Sequence, residues 1–295
     1  MSRTHHQDIR IGTLAKWDIE LDTFRKLRDL GFESLQLTAW EKLPDLDFAD
    51  HAAQVREILG DQVTISSVGV YGNPLTNEVT RTDFERSLGI ADLYGAGCVC
   101  GFAGAQEDRS VDQNMPRFKE VWAPLVKIAE DRGLKIAFEN CDMGGAWNMP
   151  RWNIAHSPRA WEMMFNEIPN EALGLEWEPC HQMVSFVDPI AQLRDWTDRI
   201  HHIHGKDATV HHDLVRKYGT RSGLYVVQHR TPGFGDTNWK DVISALRDKG
   251  WRGSIDIEGW HDHVYRDDLE MTGQVAALRY LQECRGGEYI DFASV

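Results

Sequence analysis

The chain has no apolar run approaching the ~20 residues that cross a bilayer as a helix. It has no run of Lys and Arg, and its formal net charge is −14. Phosphate backbones and anionic lipid surfaces are held by clustered basic charge, so neither nucleic acid nor membrane is an expected partner. The opening MSRTHHQDIRIG lacks the apolar core of a secretory leader. The five cysteines (Cys98, Cys100, Cys141, Cys180 and Cys284) include no CxxC pair, and their number is odd. That usage fits a reducing, cytoplasmic compartment, with Cys98 and Cys100 packing on one face of a strand. No Gly-rich phosphate turn follows the first apolar segment, which argues against a doubly wound nucleotide-binding sheet. No linker or low-complexity segment interrupts the chain.

What is there is ordinary for a globular chain of 295 residues: 42% hydrophobic and 26% charged. Short apolar runs alternate with amphipathic stretches. IGTLAK, SLQLTAW, VTISSVGVYGNP, CVCGFAG, KIAFEN, LGLEWEP, RIHHIHGKDA and GSIDIEGW read as strands. Helical spacing follows in LDTFRKLRDLG, over 48–59, 78–94, roughly 111–132, near 158–167, in TNWKDVISALRDKG, and over 268–282. Pro124 is expected to kink or divide the fourth helix. Asp188-Pro189 has the form of an N-cap followed by Pro at the first helical position. Residues 210–236 read as a long exit loop. Eight strand–helix units in one continuous length predict a parallel sheet closed into a (β/α)8 barrel over 9–284. The ends, 1–8 and 285–295, are expected to be loosely held.

In such barrels chemistry gathers at the C-terminal strand ends. IHHIHGKD is one such end. Alternation puts His202, His204 and Lys206 on one face, and three polar side chains on one strand face suit a pocket lining. His201 and His202 read more simply as satisfied structural histidines, and His5, His6, His211 and His212 as solvated ones. Glu139 closes KIAFEN, Glu176 and Glu178 sit in LGLEWEP with His181 just after, and Glu258 lies in SIDIEGW. Buried carboxylates are costly unless paired, and several together repel. A shared divalent cation relieves both problems. Glu139, Glu178, His204 and Glu258 offer three carboxylates and an imidazole, which suits Mn²⁺ first, with Mg²⁺, Co²⁺, Fe²⁺ or Zn²⁺ as alternatives. The bland reading is a set of structural ion pairs with Lys206, Arg230 or backbone donors.

At IAFEN, LGLEWEPCHQM, HIHGKD, RTPGFGDTNW and GSIDIEG the chain resembles the xylose isomerase-like sugar phosphate isomerase/epimerase superfamily. The resemblance covers nearly the whole chain and implies the same barrel and the same four metal ligands. It further implies that Glu139 and Glu258 act as acid and base on opposite faces of a substrate. A metal gripping a carbonyl and its neighbouring hydroxyl stabilises the enediolate left when a C–H proton departs. Returning the proton to the other face gives an epimer. His181 and Arg230 resemble contacts to substrate hydroxyls. Lys206 is expected to bind a substrate oxygen or steady a carboxylate, and Asp207 to anchor the loop after its strand. Tyr71 and Asn73, in GVYGNP, read equally as substrate contacts or as turn residues. The family usually has Asp in its D-P-x-H pattern where this chain has Glu178-Pro179-Cys180-His181. The longer side chain leaves the metal role of position 178 in doubt, with Glu176 as the deeper substitute.

The implied function is a metal-dependent isomerase or epimerase of a neutral sugar or keto-sugar, since few basic residues stand at the strand ends. The alternatives are a lyase or deglycosidase of 3-oxo-glycosides, working with a small partner subunit, and a dehydratase of inosose type. Eleven tryptophans, with Trp40, Trp147, Trp152, Trp177 and Trp260 near strand exits, suit a sugar ring face or an aryl aglycone. The acidic balance argues against a nuclease of the endonuclease IV type. A non-catalytic carbohydrate-binding barrel is the plainer alternative. A homo-oligomer is expected from family habit.

Overall fold

The computed structural model describes residue 6 and residues 8–292. In chain order the elements are β1 (Ile9–Lys16), α1 (Leu21–Asp29), β2 (Ser34–Trp40), α2 (Phe48–Leu59), β3 (Thr64–Tyr71), α3 (Glu78–Tyr94), β4 (Cys98–Gly101), α4 (Val111–Asp131), β5 (Lys135–Glu139), α5 (Pro158–Glu167) and β6 (Leu173–Trp177). They continue with α6 (Pro179–Val184), α7 (Pro189–Trp196), β7 (Ile200–Gly205), β8 (Asp207–Val210), α8 (His212–Tyr218), β9 (Val227–Arg230), α9 (Trp239–Asp248), β10 (Gly253–Ile257) and α10 (Glu270–Cys284). Eight strands form a closed parallel barrel in the order β1-β10-β7-β6-β5-β4-β3-β2, as the alternating pattern predicts. β8 and β9 stand apart as a two-stranded antiparallel sheet. No helix among the described residues is long and apolar enough to cross a membrane.

The chain divides into two compact units. One comprises residues 14–177 and 199–203 and holds β2 to β6 with α1 to α5. Its helices bury the stripes their spacing predicts. α4 turns Phe118, Val121, Trp122, Leu125 and Val126 inward, and burying each such side chain stabilises the fold by roughly 1.5–3 kcal/mol. Trp122 meets Phe84 and Phe138 edge-on, at 4.8 and 4.5 Å between ring centroids, and donates its indole N–H to the Ala103 carbonyl at 2.7 Å. α4 runs unbroken through Pro116 and Pro124, so the expected division at Pro124 does not occur. The buried stripe flanking each proline offsets the hydrogen bond each one removes.

The other unit comprises the described residues up to 13, with 178–198 and 204 onward. β1 pairs β10 in parallel here, from Ile9↔Gly253 to Thr13↔Ile257. Asp188 caps α7, accepting from the amides of Ile190 and Ala191 ahead of Pro189. α9 packs Trp239, Val242, Ile243 and Leu246 inward, and α10 packs Ala277, Leu278 and Leu281.

Three local expectations need correction. The sixth strand, read through Pro179 in LGLEWEP, ends at Trp177, and α6 follows, because Pro179 in its first turn has the φ a helix start requires. The seventh strand ends at Gly205, where the Lys206 amide turns back to the His204 carbonyl at 3.0 Å. Residues 210–236 are not one loop: they hold α8 and β9, and β9 closes a hairpin with β8 in the register Asp207↔Arg230 to Val210↔Val227.

Among the histidines expected to be solvated, His212 is exposed, whereas His6 and His211 are half-buried. His6 Nε2 lies 3.1 Å from the Gly287 carbonyl, and His211 Nε2 lies 3.0 Å from Gln228 Oε1. The expected loose ends fall partly on residues 1–5, 7 and 293–295, which, with His5, lie outside the described residues. Within the described ends, Asp8 pairs with Arg247 at 2.6 Å, and Arg285 donates to the Ile9 carbonyl at 2.6 Å.

Candidate metal centre

Glu178 follows β6 in the N-cap position of α6, still in extended backbone. His204 lies on β7 and is buried. Glu258 follows β10, and its amide continues the ladder by donating to the Gly205 carbonyl at 3.2 Å. All three side chains are buried, with Glu258 the most open at 5%. One donor atom from each lies within 4.8 Å of one from each of the others. His204 Nδ1 is 3.3 Å from Glu258 Oε2. This is a set of hard oxygen donors with one imidazole, held out of water at a strand-end position, and it fits a divalent cation such as Mn²⁺ or Mg²⁺.

Lys206 runs between the carboxylates. Its Nζ is 2.9 Å from Glu258 Oε1, 3.6 Å from Glu178 Oε2 and 3.4 Å from His181 Nε2. Burial opposes ionisation of Glu258, but the Lys206 charge and the hydrogen bonds from His204 and His261 outweigh it and hold the carboxyl well below its ordinary range. His181 Nε2 is 3.0 Å from Glu178 Oε1. Burial, with Lys206 and His229 beside it, keeps the His181 ring neutral far below its usual pKa. His229 meets it edge-on at 4.7 Å and is pushed down to about 3 by burial, Lys206 and His261.

Arg230 donates to Asp262 Oδ2 at 3.1 Å. Asp262 in turn accepts from the amides of Thr231, Val264 and Tyr265. Asp207 does what its position predicts: Oδ1 accepts from the amides of Ala208 and Thr237 at 2.8 and 3.0 Å, and Oδ2 from the Trp239 indole at 3.1 Å. Gly235 lies so close to that carboxylate that a Cβ there would collide with it.

In the other unit, Glu139 ends β5 and is buried at 6% exposure. The turn after it is pinned by Asn153, whose side-chain amide donates to the carbonyls of Glu139 and Cys141, both at 2.8 Å. Its oxygen accepts from the amides of Ala103 and Ala155. Glu176 directs its oxygens to Gln36, Tyr71 and His202 at 2.6, 2.6 and 2.9 Å. Tyr71 is thereby buried as a donor to Glu176, and burial with that carboxylate drives its hydroxyl pKa well up. His202 is the satisfied core histidine its simpler reading predicts. Asn73 exchanges both amide groups with the Ala105 backbone, at 2.8 and 2.9 Å.

The five tryptophans divide. Trp177 is fully buried, while Trp40 and Trp260 are exposed. Trp40 stacks on Trp152 at 5.4 Å, and Trp147 lies under the Arg159 guanidinium at 4.0 Å.

Sequence reasoning missed His229, His261, Asp262 and Cys180 as neighbours of this site. The signal for His229 lay in VQHR, whose short strand is visible only once its partner β8 is known.

Comparison with known proteins agrees with this architecture. The family described as the xylose isomerase-like TIM barrel matches residues 24–284. An uncharacterised protein of Bacillus subtilis, YfiH, is 22% identical, covering 85% of this chain and 91% of its own. An inosose dehydratase of Clostridium perfringens is 20% identical over 70% of this chain and 69% of its own. Among solved structures, a xylose isomerase domain protein from Planctomyces limnophilus superposes with a TM-score of 0.70 at 17% identity, over 95% of this chain and 98% of its own. The 3-keto-D-glucoside 4-epimerase of E. coli superposes at 0.68 and 15% identity, over 94% of this chain and all of its own (100%). The fold, the barrel's strand order and a family match spanning most of the chain converge: the chain belongs to the xylose isomerase-like TIM barrel family.

Proposed function

We propose that this chain is a divalent-metal-dependent isomerase or epimerase acting on a neutral sugar or keto-sugar. In this reading Glu139, Glu178, His204 and Glu258 hold the ion, with Mn²⁺ as the preferred metal. The single observation that carries it is the buried convergence of Glu178, His204 and Glu258 donors within 4.8 Å. The ion, when bound, would polarise a substrate carbonyl and acidify the neighbouring C–H.

The chain's own residues do the rest. Glu258, held ionised by Lys206, is competent to take a proton, and Glu139 is the second carboxylate that returns it. His181, neutral and buried, accepts or donates a hydrogen bond to a substrate hydroxyl without bringing charge. A neutral substrate is supported by the nearby cations, because Lys206 is committed to Glu258 and Arg230 to Asp262. Neither is arranged as a phosphate clamp.

A second reading, dehydration or β-elimination from the same deprotonated carbon, is favoured by the inosose dehydratases among the relatives. Incubation with Mn²⁺ in D2O tests both. Deuterium entering beside the carbonyl of a ketose, with an epimer or isomer formed, supports the first. Loss of water from an inosose, or release of an aglycone from a 3-oxo-glycoside, supports the second. No exchange and no elimination across the panel overturns both.

A further inference from the structure

We propose that Trp40 and Trp152 form a platform for an aromatic ring joined to the sugar, so that the substrate is an aryl glycoside or its keto form and not a free monosaccharide. The proposal rests on the function proposed above, which sets the sugar at Glu139. Trp40 is the last residue of β2, and Tyr71 and Glu139 are the last residues of β3 and β5. All three stand at the strand ends where barrel chemistry gathers. Trp40 is 58% exposed, and its indole stacks on Trp152 at 5.4 Å between ring centroids, with 25° between the planes. Phe102 meets Trp40 edge-on at 6.1 Å.

The stack is built into the strand ends. Cys141, just beyond Glu139, is buried in one cluster with Tyr71 and Phe102, and Met143 and Trp152 pack against that cluster. Trp152 immediately precedes Asn153, which forms a parallel bridge with Gly104 and bonds the carbonyls of Glu139 and Cys141. The residue that pins the Glu139 turn therefore also holds the second indole. The backbone is strained here. Among the described residues, five that are not glycine have positive φ, and three of them lie in or directly beside the patch: Glu41 at +61°, Met143 at +50° and Trp152 at +61°. Bulky side chains avoid that region, and such strain collects at ligand sites, where the surroundings hold it. Glu41 is held by its amide, which donates to the Tyr71 carbonyl at 2.7 Å, and by the Thr80 hydroxyl, which donates to its carbonyl at 2.8 Å. A face fixed in advance loses little freedom when a ring docks on it.

The surroundings choose the occupant. An indole face receives either an aromatic ring or the C–H side of a second sugar. A second sugar brings hydroxyls that need hydrogen-bond partners when they leave water. The cluster behind the stack offers the Phe102 ring, the Cys141 thiol and the Met143 thioether, and the Tyr71 hydroxyl is committed to Glu176 at 2.6 Å. Rings and sulfur suit an aromatic group and serve a hydroxylated one poorly.

The test is calorimetric titration of the full chain, with Mn²⁺ added, using paired phenyl and methyl β-glycosides of glucose, galactose and xylose. A phenyl glycoside is expected to bind about tenfold tighter than its methyl partner. Trp40→Ala should erase that difference by bringing the phenyl glycoside to the methyl value. If Trp40→Ala does not fold, as judged by circular dichroism, Trp40→Leu carries the same comparison. Equal affinities in the wild type, a difference that survives the substitution, or no binding of any phenyl glycoside overturns the platform. Tighter binding of cellobiose than of phenyl β-glucoside gives the face to a second sugar and overturns the aryl assignment. Deuterium exchange separates this outcome from the proposed function. Exchange into free ketoses without a phenyl preference removes the platform and leaves the isomerase or epimerase standing. A phenyl preference erased by Trp40→Ala, with no exchange or elimination on any substrate, keeps the platform and removes the proposed reaction.

Discussion

Lys206 and Glu258 form a buried ion pair at 2.9 Å, with side chains only 3% and 5% exposed. Two charges this far from water are expensive to separate, because removing one leaves the other without a counter-charge. Lys206→Met should destabilise the metal-free protein by about 3–5 kcal/mol. A bound divalent ion replaces the missing charge, so saturating Mn²⁺ should restore much of the loss. Denaturant unfolding of wild type and variant, each with chelator and with Mn²⁺, measures both. Equal destabilisation in the two conditions would show that Lys206 and the ion do not share a role.

Glu258→Gln keeps the size of the side chain and removes its basicity. If Glu258 moves the substrate proton, deuterium exchange should fall by about 10²–10⁴-fold. Single-turnover exchange at saturating Mn²⁺ separates this from weaker metal binding. An unchanged rate would reassign the base.

Asn153 reaches Glu139 through the backbone, bonding the carbonyls of Glu139 and Cys141. Asn153→Ala leaves those buried groups unsatisfied and should cost about 1–3 kcal/mol in unfolding experiments. It should also slow proton transfer more than it raises KM, since the turn that presents Glu139 loosens while the groups proposed to grip substrate stay intact. A change in KM alone would count against that role.

His201 is held down to about 4, mainly by burial, with Lys135 and Arg199 adding to the effect. The unfolded chain takes up a proton on this residue near pH 6.5, whereas the folded chain resists until about 4. Stability from this group is therefore full above the unfolded value and is lost as pH falls toward the folded one, up to about 3 kcal/mol in total. Urea unfolding of wild type and His201→Gln between pH 4 and pH 7 should show a steeper loss in the wild type. Parallel curves would remove His201 from the account.

Much of the fold was legible because its local signals agree with its packing. α2 and α3 begin where Asp47 and Asn77 accept backbone amides, and they stop at Gly60 and Gly95, whose φ values of +57° and +71° suit glycine. Both boundaries match the hydrophobic spacing. β8 and β9 carry no such signal: each is four residues long, and pairing between distant positions, from Val210↔Val227 out to Asp207↔Arg230, decides them. The candidate ligands could be picked out because carboxylates in apolar strand ends need a partner. The directions of Glu176 and Tyr71 could not, since both depend on Gln36 and His202 arriving from other strands.

The hairpin has a further meaning. Asp207 and Arg230 face each other across its open end, and each is tied down separately, Asp207 to Thr237 and Trp239 and Arg230 to Asp262. The stretch from His211 to Val226 thus leaves and re-enters the barrel through a riveted doorway. Its exposed tip, residues 216–225, is therefore where a substitution leaves Leu214, Val215 and Val226 undisturbed in their packing against Cys180 and Met183.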